Sequence, residues 1–138
     1  MRAGAFDTIR TEIVGVDDTN SSDILSASHV VQWMNKAATL CAQNHSGKIC
    51  ISTSINQMDF IAAANIGDVI IIKARISKSF YTSMEVLVQA FAGKAETDKN
   101  HLIGIACFSF LAIDENAKAF PIIPLTLEEE ADTGKYSF

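Results

Sequence analysis

One stretch of the chain has the spacing of a long amphipathic helix, and no other stretch repeats this pattern over a similar length. Apolar residues that recur every three or four positions lie on one face of a helix. Here they are Ala27, Val30, Val31, Met34, Ala37, Ala38 and Cys41. Ser26 or Ser28 can cap the start, and the segment Asn44-His45-Ser46-Gly47 predicts the end. The helix should therefore cover roughly 17 residues, with an alanine-rich face suited to close packing on a sheet.

Most of the remaining sequence alternates between apolar and polar residues, which is the pattern of β-strands. A first strand is predicted before the helix, over 8–16, and four more after it, over 49–55, 70–77, 84–90 and 102–113. Gly67-Asp68 and Phe80-Tyr81-Thr82 supply turns. The run 102–113 is apolar on both faces, so it is either central in the sheet or covered by a second subunit.

A single helix cannot cover both faces of a sheet with about five strands. An antiparallel sheet that wraps around one long central helix, and meets a partner subunit on its other face, satisfies the burial requirement. This is an α+β arrangement, the hotdog fold. No internal repeat or linker divides the sequence, so residues 1–138 are expected to form a single domain.

Composition excludes several classes of protein. A formal net charge of -5 argues against a nucleic-acid partner, because binding to phosphates needs clustered Lys and Arg. The first ten residues lack the apolar run of a signal peptide, and no segment approaches the roughly 20 apolar residues that span a bilayer. We therefore expect a cytoplasmic protein without a membrane partner.

Cys41, Cys50 and Cys107 lie in apolar runs and are expected to be reduced, buried thiols. No histidine pair has metal-ligand spacing, so no metal site is expected.

Five motifs follow one another in the order found in a known family. The first two are the loop Asp17-Asp18-Thr19-Asn20 and the helical segment Trp33-Met34-Asn35-Lys36-Ala37-Ala38, which is similar to Trp-Met-Asp-x-Ala-Ala. The others are Met58-Asp59-Phe60 with Gly67-Asp68, Thr82-Ser83-Met84-Glu85-Val86, and the segment 108–115 with Pro121 and Pro124. Together they resemble the hotdog acyl-CoA thioesterases, in the acyl-CoA hydrolase branch of bacterial single-domain and animal tandem-hotdog enzymes. The segment 24–28 is most similar to the first hotdog of the tandem enzymes, which leaves open that the chain is a fragment or relative of one.

The resemblance implies hydrolysis of an acyl-CoA to coenzyme A and a free carboxylic acid, without a cofactor, at an interface between subunits. It implies a homodimer that assembles further, as a trimer of dimers or a dimer of dimers. Asn20 matches the loop asparagine that faces the helix of the partner, and Ala27 and Ser28 replace a Gly-Gly pair. Their backbone amides, with His29 at the same helix start, would hold the thioester oxygen.

Asn35 stands where this family has its catalytic aspartate. Ser28 and Asn35 are two turns apart, about 10 Å along one helical stripe, so Asn35 can face a ligand that enters along the helix. An amide side chain cannot accept a proton near neutral pH, whereas a carboxylate can. Three explanations stay open: a slow thioesterase, a protein that only binds acyl-CoA, and an engineered replacement of the aspartate. A hotdog dehydratase is a further alternative, and it would need His29 as its base.

Coenzyme A carries phosphates, so cationic residues are expected near the site. Lys73, Arg75 and Lys78 are predicted on one side of a single strand, and the forked donors of Arg75 suit a phosphate best. By resemblance, Ser83 and Met84 join the coenzyme A site. A solvated strand face for the lysines and a core position for Met84 are the alternatives.

Overall fold

Five strands and one long helix make up the regular structure of the computed structural model, which describes residues 8–94, 96–97 and 99–113. A short 3-10 turn, Val16–Asp18, follows the first strand. The elements in chain order are β1 (Thr8–Ile13), α1 (Ala27–Ser46), β2 (Ile49–Phe60), β3 (Val69–Ser79), β4 (Ser83–Gly93) and β5 (Asn100–Ile113). The predicted closing motif beyond residue 113, with Pro121 and Pro124, lies outside the described residues.

All pairs of neighbouring strands are antiparallel, and the order in the sheet is β1-β3-β4-β5-β2. The doubly apolar strand β5 therefore lies inside the sheet, between β4 and β2. Alternate residues of β3 and β4, such as Ile72 and Val88, are fully buried on the face that α1 covers. The predicted α+β hotdog architecture, one sheet wrapped around one long helix, is confirmed.

The helix α1 is 20 residues long, slightly longer than predicted, and its ends follow from local backbone geometry. Ser26 occupies the N-cap position with extended backbone angles, φ -70° and ψ 136°. Gly47 ends the helix in the left-handed conformation at φ 69°, which glycine adopts without steric strain, and its N–H donates to the Gln43 carbonyl oxygen at 2.8 Å. The buried face carries Trp33 and Met34 together with small alanines, as the spacing predicts.

β1 is shorter than predicted, and β2 to β5 each extend beyond their predicted bounds. β1 stops at Ile13, shortly before the 3-10 turn, although the N–H of Val14 still bonds the Asp68 carbonyl oxygen at 3.0 Å. β2 continues to Phe60, beyond its predicted end at residue 55. Its long neighbour β5 keeps pairing with it across irregularities in register, the second of which contains Gln57 at a positive φ of 51°.

The turn before β3 is fixed by the buried carboxylate of Asp68, which accepts hydrogen bonds from the Asn65 N–H at 2.9 Å and from Lys94 Nζ at 2.5 Å. Burial of this carboxyl raises its pKa, but the hydrogen bonds from Lys94 and Asn65, with the positive charges of Lys94 and His101, outweigh that effect. The pKa of Asp68 consequently lies below its ordinary value, and the carboxylate stays charged to hold the turn.

Cys41 and Cys50 are buried, as predicted, whereas Cys107 is only half-buried, and none of the three forms a disulfide bond. Burial raises the pKa of both Cys50 and Cys107, which makes them poor nucleophiles at neutral pH. Within the described ranges, no group of three or more His, Cys, Asp or Glu side chains is placed to hold a metal ion. Over the same ranges, no helix combines the length and apolar character needed to cross a membrane.

Candidate active site

Asn20 lies in the exposed loop before α1, and its side-chain oxygen holds that loop together. Oδ1 accepts hydrogen bonds from the backbone N–H of Ser22 at 2.9 Å and of Ile24 at 3.2 Å. The backbone N–H of Asn20 donates to the Ile24 carbonyl oxygen at 2.8 Å. Because Oδ1 is occupied by the loop, the Nδ2 amide group is the part of this side chain left for a ligand or a neighbouring subunit.

The start of α1 presents two free backbone donors. The N–H groups of His29 and Val30 bond the Ser26 carbonyl oxygen at 3.1 and 3.2 Å. The Ser26 hydroxyl does not cap the helix, because its Oγ lies 2.9 Å from the Ser28 Oγ instead. Within the described part of the chain, the exposed N–H groups of Ala27 and Ser28 therefore have no acceptor. Such donors, at the positive end of a long helix, can stabilise a developing oxyanion.

Asn35 is half-buried on α1, with an acceptor that has no donor. Its Oδ1 is buried and makes no hydrogen bond in the described structure. The residue opens into a shallow groove of about 360 Å³ between the helix and β1. The other residues that line this groove are Arg10, Lys36, Thr39, Leu40 and Gln43. A buried carbonyl oxygen without a partner is unfavourable, so this position favours binding of a molecule that donates a hydrogen bond.

His29 contacts the loop and does not line the groove that contains Asn35. Its Nε2 lies 3.6 Å from Oδ1 of Asp18, its Nδ1 is buried without a partner in the described structure, and its ring meets the edge of Trp33 at 6.4 Å. Asp18 also accepts the Gly15 N–H at 2.9 Å. His29 thus connects the start of the helix to the 3-10 turn through its contact with Asp18. This contact could not be predicted from the sequence. The path of the loop brings the two side chains together, and no periodic pattern indicates it.

An apolar groove of about 320 Å³ runs beside the start of α1. It lies between the helix, the segment that follows β2, and β5. Its lining residues are Ile24, Leu25, Ala27, Val30, Phe60, Ile61, Ala62, Ala63, Ala64 and Ile103. Ala27 thus borders the groove with one of the free N–H groups. The run of alanines at 62–64 was not singled out from the sequence, since small apolar residues in a loop carry no distinctive pattern.

The residues predicted to bind coenzyme A line neither of these two grooves. They are Arg75, Ser83 and Met84. Arg75 is on the face of β3 opposite the helix, and an irregularity between Ile76 and Lys78 keeps Lys78 on that same face, paired with Glu85. A single chain therefore does not bring Arg75 together with Asn35. Ser83 is buried at the start of β4 and Met84 is 1% exposed within the core, so the Met84 side chain packs against the protein itself.

Comparison with known proteins points to one family. The model of the thioesterase superfamily matches residues 24–98, which is more than half of the 138-residue chain. Acyl-coenzyme A thioesterase 11 of Mus musculus is 31% identical over 118 residues, which cover 84% of this chain and 20% of that protein. The chain spans about a fifth of the length of the mouse and rat relatives that it matches.

Solved structures share the fold. A hexameric acyl-CoA thioesterase superposes with a TM-score of 0.83 at 25% identity, covering 98% of this chain and 92% of the other. An acyl-CoA hydrolase from Staphylococcus aureus, solved with butyryl coenzyme A, coenzyme A and coenzyme A disulfide, gives a TM-score of 0.81 at 23% identity. That match covers 84% of this chain and 71% of the other. On its fold and its family match, the chain belongs to the thioesterase superfamily.

Proposed function

We propose that this chain is an acyl-CoA thioester hydrolase domain that releases coenzyme A and a free carboxylic acid. The observation that carries the proposal is the pair of N–H groups at Ala27 and Ser28, on the positive end of α1, which have no acceptor among the described residues. Attack on a thioester carbonyl places negative charge on its oxygen, and donors fixed in advance at that position lower the barrier. Membership of the thioesterase superfamily and the names of the relatives support the same reaction.

The attacking water would lie between Asn20 of one subunit and Asn35 of its neighbour. The two side chains offer complementary groups. Asn20 has its oxygen occupied by the loop and offers its Nδ2 donors, whereas Asn35 offers a buried Oδ1 that needs a donor. A water that accepts from the first and donates to the second is held in one orientation. Asn20 does not line the groove that contains Asn35, which favours an arrangement across subunits.

A site that orients the water but cannot accept its proton hydrolyses thioesters slowly. Neither amide can take the proton from the water, and general-base catalysis typically contributes about 10²- to 10⁴-fold to a rate. The hydrolytic activity should therefore be impaired relative to a site with a carboxylate at position 35. The alternative function is an acyl-CoA-binding domain with weak or absent hydrolysis, and the amide at position 35, which cannot accept a proton, is the observation that favours it.

The same proposal requires a homo-oligomer. Among the described strands β2 lies at one edge of the sheet and pairs only with β5, and it exposes large apolar side chains, among them Ile49 at 67% and Phe60 at 46%. A further assembly of dimers would also allow Arg75, on the face away from α1, to meet the phosphates of coenzyme A held by a neighbouring subunit. Ser83 lies further along β4 and is buried, and the buried Met84 supports the core beneath.

The decisive test places a carboxylate at position 35. Asn35→Asp should raise kcat for acyl-CoA hydrolysis at least tenfold, measured by release of free thiol from acetyl-, butyryl-, octanoyl- and palmitoyl-CoA. Asn44→Asp, an exposed position on the same helix, is the matched control and should leave kcat unchanged. A gain below tenfold in Asn35→Asp would show that position 35 is not a vacated catalytic position. Binding of acyl-CoA without hydrolysis by either protein would establish the binding domain instead.

A further inference from the structure

The buried side chain of Asp68 is far from Asn20 in the sequence, but its contacts lead to the loop that carries Asn20. We propose that Asp68 is a positioning residue for hydrolysis: it closes a turn that holds both ends of this loop, and thereby fixes the direction of the Asn20 amide. This inference rests on the proposed function, in which Asn20 orients the attacking water. It is carried by a series of hydrogen bonds between described residues.

Residues 65–68 form a tight turn that the side chain of Asp68 closes. The Asp68 N–H donates to the Asn65 carbonyl oxygen at 3.0 Å, and the Asn65 N–H donates to Oδ2 of Asp68 at 2.9 Å. Gly67 has a positive φ of 89°, which glycine adopts without steric strain. Oδ1 of Asp68 accepts a hydrogen bond from Lys94 Nζ, so both carboxylate oxygens have donors although the side chain is only 5% exposed. Such charge-assisted hydrogen bonds hold the turn in one conformation.

The turn is bonded to the first end of the segment 15–24, which contains Asn20. The Gly67 N–H donates to the Val14 carbonyl oxygen at 2.9 Å, and the Val14 N–H donates to the Asp68 carbonyl oxygen at 3.0 Å. Val14 is 2% exposed within the core. The segment therefore begins at a fixed point, since moving it would break both hydrogen bonds and uncover Val14.

The second end of the segment meets the other side of the same turn. Ile24 forms an antiparallel β-bridge with Asn65. The N–H of the next residue, Leu25, donates to the Ala64 carbonyl oxygen at 2.9 Å. One turn thus holds the segment where it begins and where it ends.

Asn20 is bonded directly to this second end. Its backbone N–H donates to the Ile24 carbonyl oxygen at 2.8 Å, and its Oδ1 accepts the Ile24 N–H at 3.2 Å. Three contacts consequently connect the two residues: Asp68 with Asn65, Asn65 with Ile24, and Ile24 with Asn20. Because Asn20 itself is exposed, the direction of its Nδ2 depends on how firmly Ile24 is held.

Amide hydrogen exchange tests the positioning without requiring hydrolysis. Asp68→Ala removes the acceptor of the Asn65 N–H. The N–H groups of Ser22 and Ile24, which bond Oδ1 of Asn20, should then exchange at least about tenfold faster, while the amides of α1 keep their rates. Glu96→Ala is the matched control, since it removes an exposed carboxylate from the connection between β4 and β5, and it should change neither set of rates.

The kinetic test separates kcat from KM. Since Asn20 would orient the water and not hold acyl-CoA, Asp68→Ala should lower kcat for butyryl-CoA by at least about tenfold and keep KM within about threefold. When Asn20 is already replaced in Asn20→Ala, adding Asp68→Ala should lower kcat by less than about threefold, because the residue through which Asp68 acts is gone. Glu96→Ala should keep the wild-type kcat and KM.

A conservative double variant tests whether the hydrogen bonds are sufficient. Asp68→Asn combined with Lys94→Gln keeps an acceptor for the Asn65 N–H and a partner at each side-chain position, without the two charges. It should return the exchange rates of the loop and kcat to within about threefold of the wild type. A double variant that resembles Asp68→Ala would overturn the role assigned to these hydrogen bonds.

The wild type decides the question if Asp68→Ala does not fold, which removal of one partner of a buried ion pair can cause. Over a range of denaturant concentrations, the amides of Ser22, Ile24 and Asn65 should open together, with one opening free energy. Opening of Ser22 and Ile24 while Asn65 stays protected would overturn the proposal.

The remaining outcomes separate this inference from the proposed function. Unchanged exchange of the loop in Asp68→Ala would overturn the positioning role and leave the function standing. Faster exchange spread equally over α1 and the sheet would also overturn it, because Asp68 would then stabilise the whole fold without directing Asn20. A local rise in exchange with an unchanged kcat would overturn the connection to the reaction. No hydrolysis by the wild type, with a local rise that the double variant reverses, would overturn the function and support the positioning of the loop.

Discussion

Asn20 and Asn35 are the same residue type, but the fold exposes a different part of each amide. The oxygen of Asn20 is bonded to the backbone of its own loop, while the oxygen of Asn35 is buried and has no donor in the described part of the chain. The motif order in the sequence predicts both positions as candidate site residues. Which atom of each side chain is left for chemistry could not be predicted, because it depends on the path of the loop and on the depth of the helix face.

Substitution can separate the role of the Asn20 acceptor, Oδ1, from that of its donor, Nδ2. Asn20→Asp keeps an acceptor for the N–H groups of Ser22 and Ile24 but removes the Nδ2 donors. We expect stability to stay within about 0.5 kcal/mol of the wild type, since the loop hydrogen bonds persist. The rate of acyl-CoA hydrolysis should fall at least tenfold, because the water loses its donor and a carboxylate that accepts two backbone N–H groups is a weak base. Thermal unfolding and kcat measured on the same preparation check both expectations.

Asn20→Ala is the control that removes both the acceptor and the donor of this side chain. It should lose about 1 kcal/mol of stability as well as activity, because the loop also loses its two hydrogen bonds. Activity of Asn20→Asp equal to that of the wild type would show that Asn20 serves the loop alone.

At the scale of the element, α1 supplies both a core face and, at its start, two backbone N–H groups that have no acceptor among the described residues. Its apolar spacing predicted the core face, and Gly47 fixed the end of the helix as expected. The free amides at its start were implied only by the family resemblance. A serine at the N-cap normally satisfies such donors, and here Ser26 contacts Ser28 instead, which spacing alone does not reveal.

Proline at the first helical position tests the free amides without breaking the helix. Ala27 is the first residue of α1, where proline is tolerated, and the extended backbone of Ser26 is the conformation that favours a following proline. Ala27→Pro removes one N–H and should lower kcat by about 10²- to 10³-fold, as loss of one oxyanion donor does. The far-ultraviolet circular dichroism spectrum should keep its helical signal. Ala27→Gly, which retains the N–H, is the control and should stay within threefold of the wild-type rate.

At the scale of the whole molecule, the count of elements predicted the architecture. One helix and about five strands leave few ways to bury an apolar helix face, and the doubly apolar run 102–113 indicated a strand that is central or covered. The structure places that run inside the sheet, next to β2. The placement of Arg75 away from α1 was not predicted, because alternation tells which residues share a face of a strand but not which face meets the helix.

The side of β2 that pairs with no described strand gives the last prediction. Ile51 is 44% exposed on this edge strand, and lysine on an edge strand disfavours pairing with a second strand. If β2 pairs subunits, Ile51→Lys should weaken self-association at least tenfold, as measured by sedimentation velocity over a range of concentrations. Hydrolysis should fall with the loss of the oligomer, because Asn20 and Asn35 of adjacent subunits then no longer share a water. Ile9→Lys on β1, the opposite edge, should change neither property. A wild-type chain that sediments as a monomer and still hydrolyses acyl-CoA would rule out a site shared between subunits and require one chain to supply both asparagines.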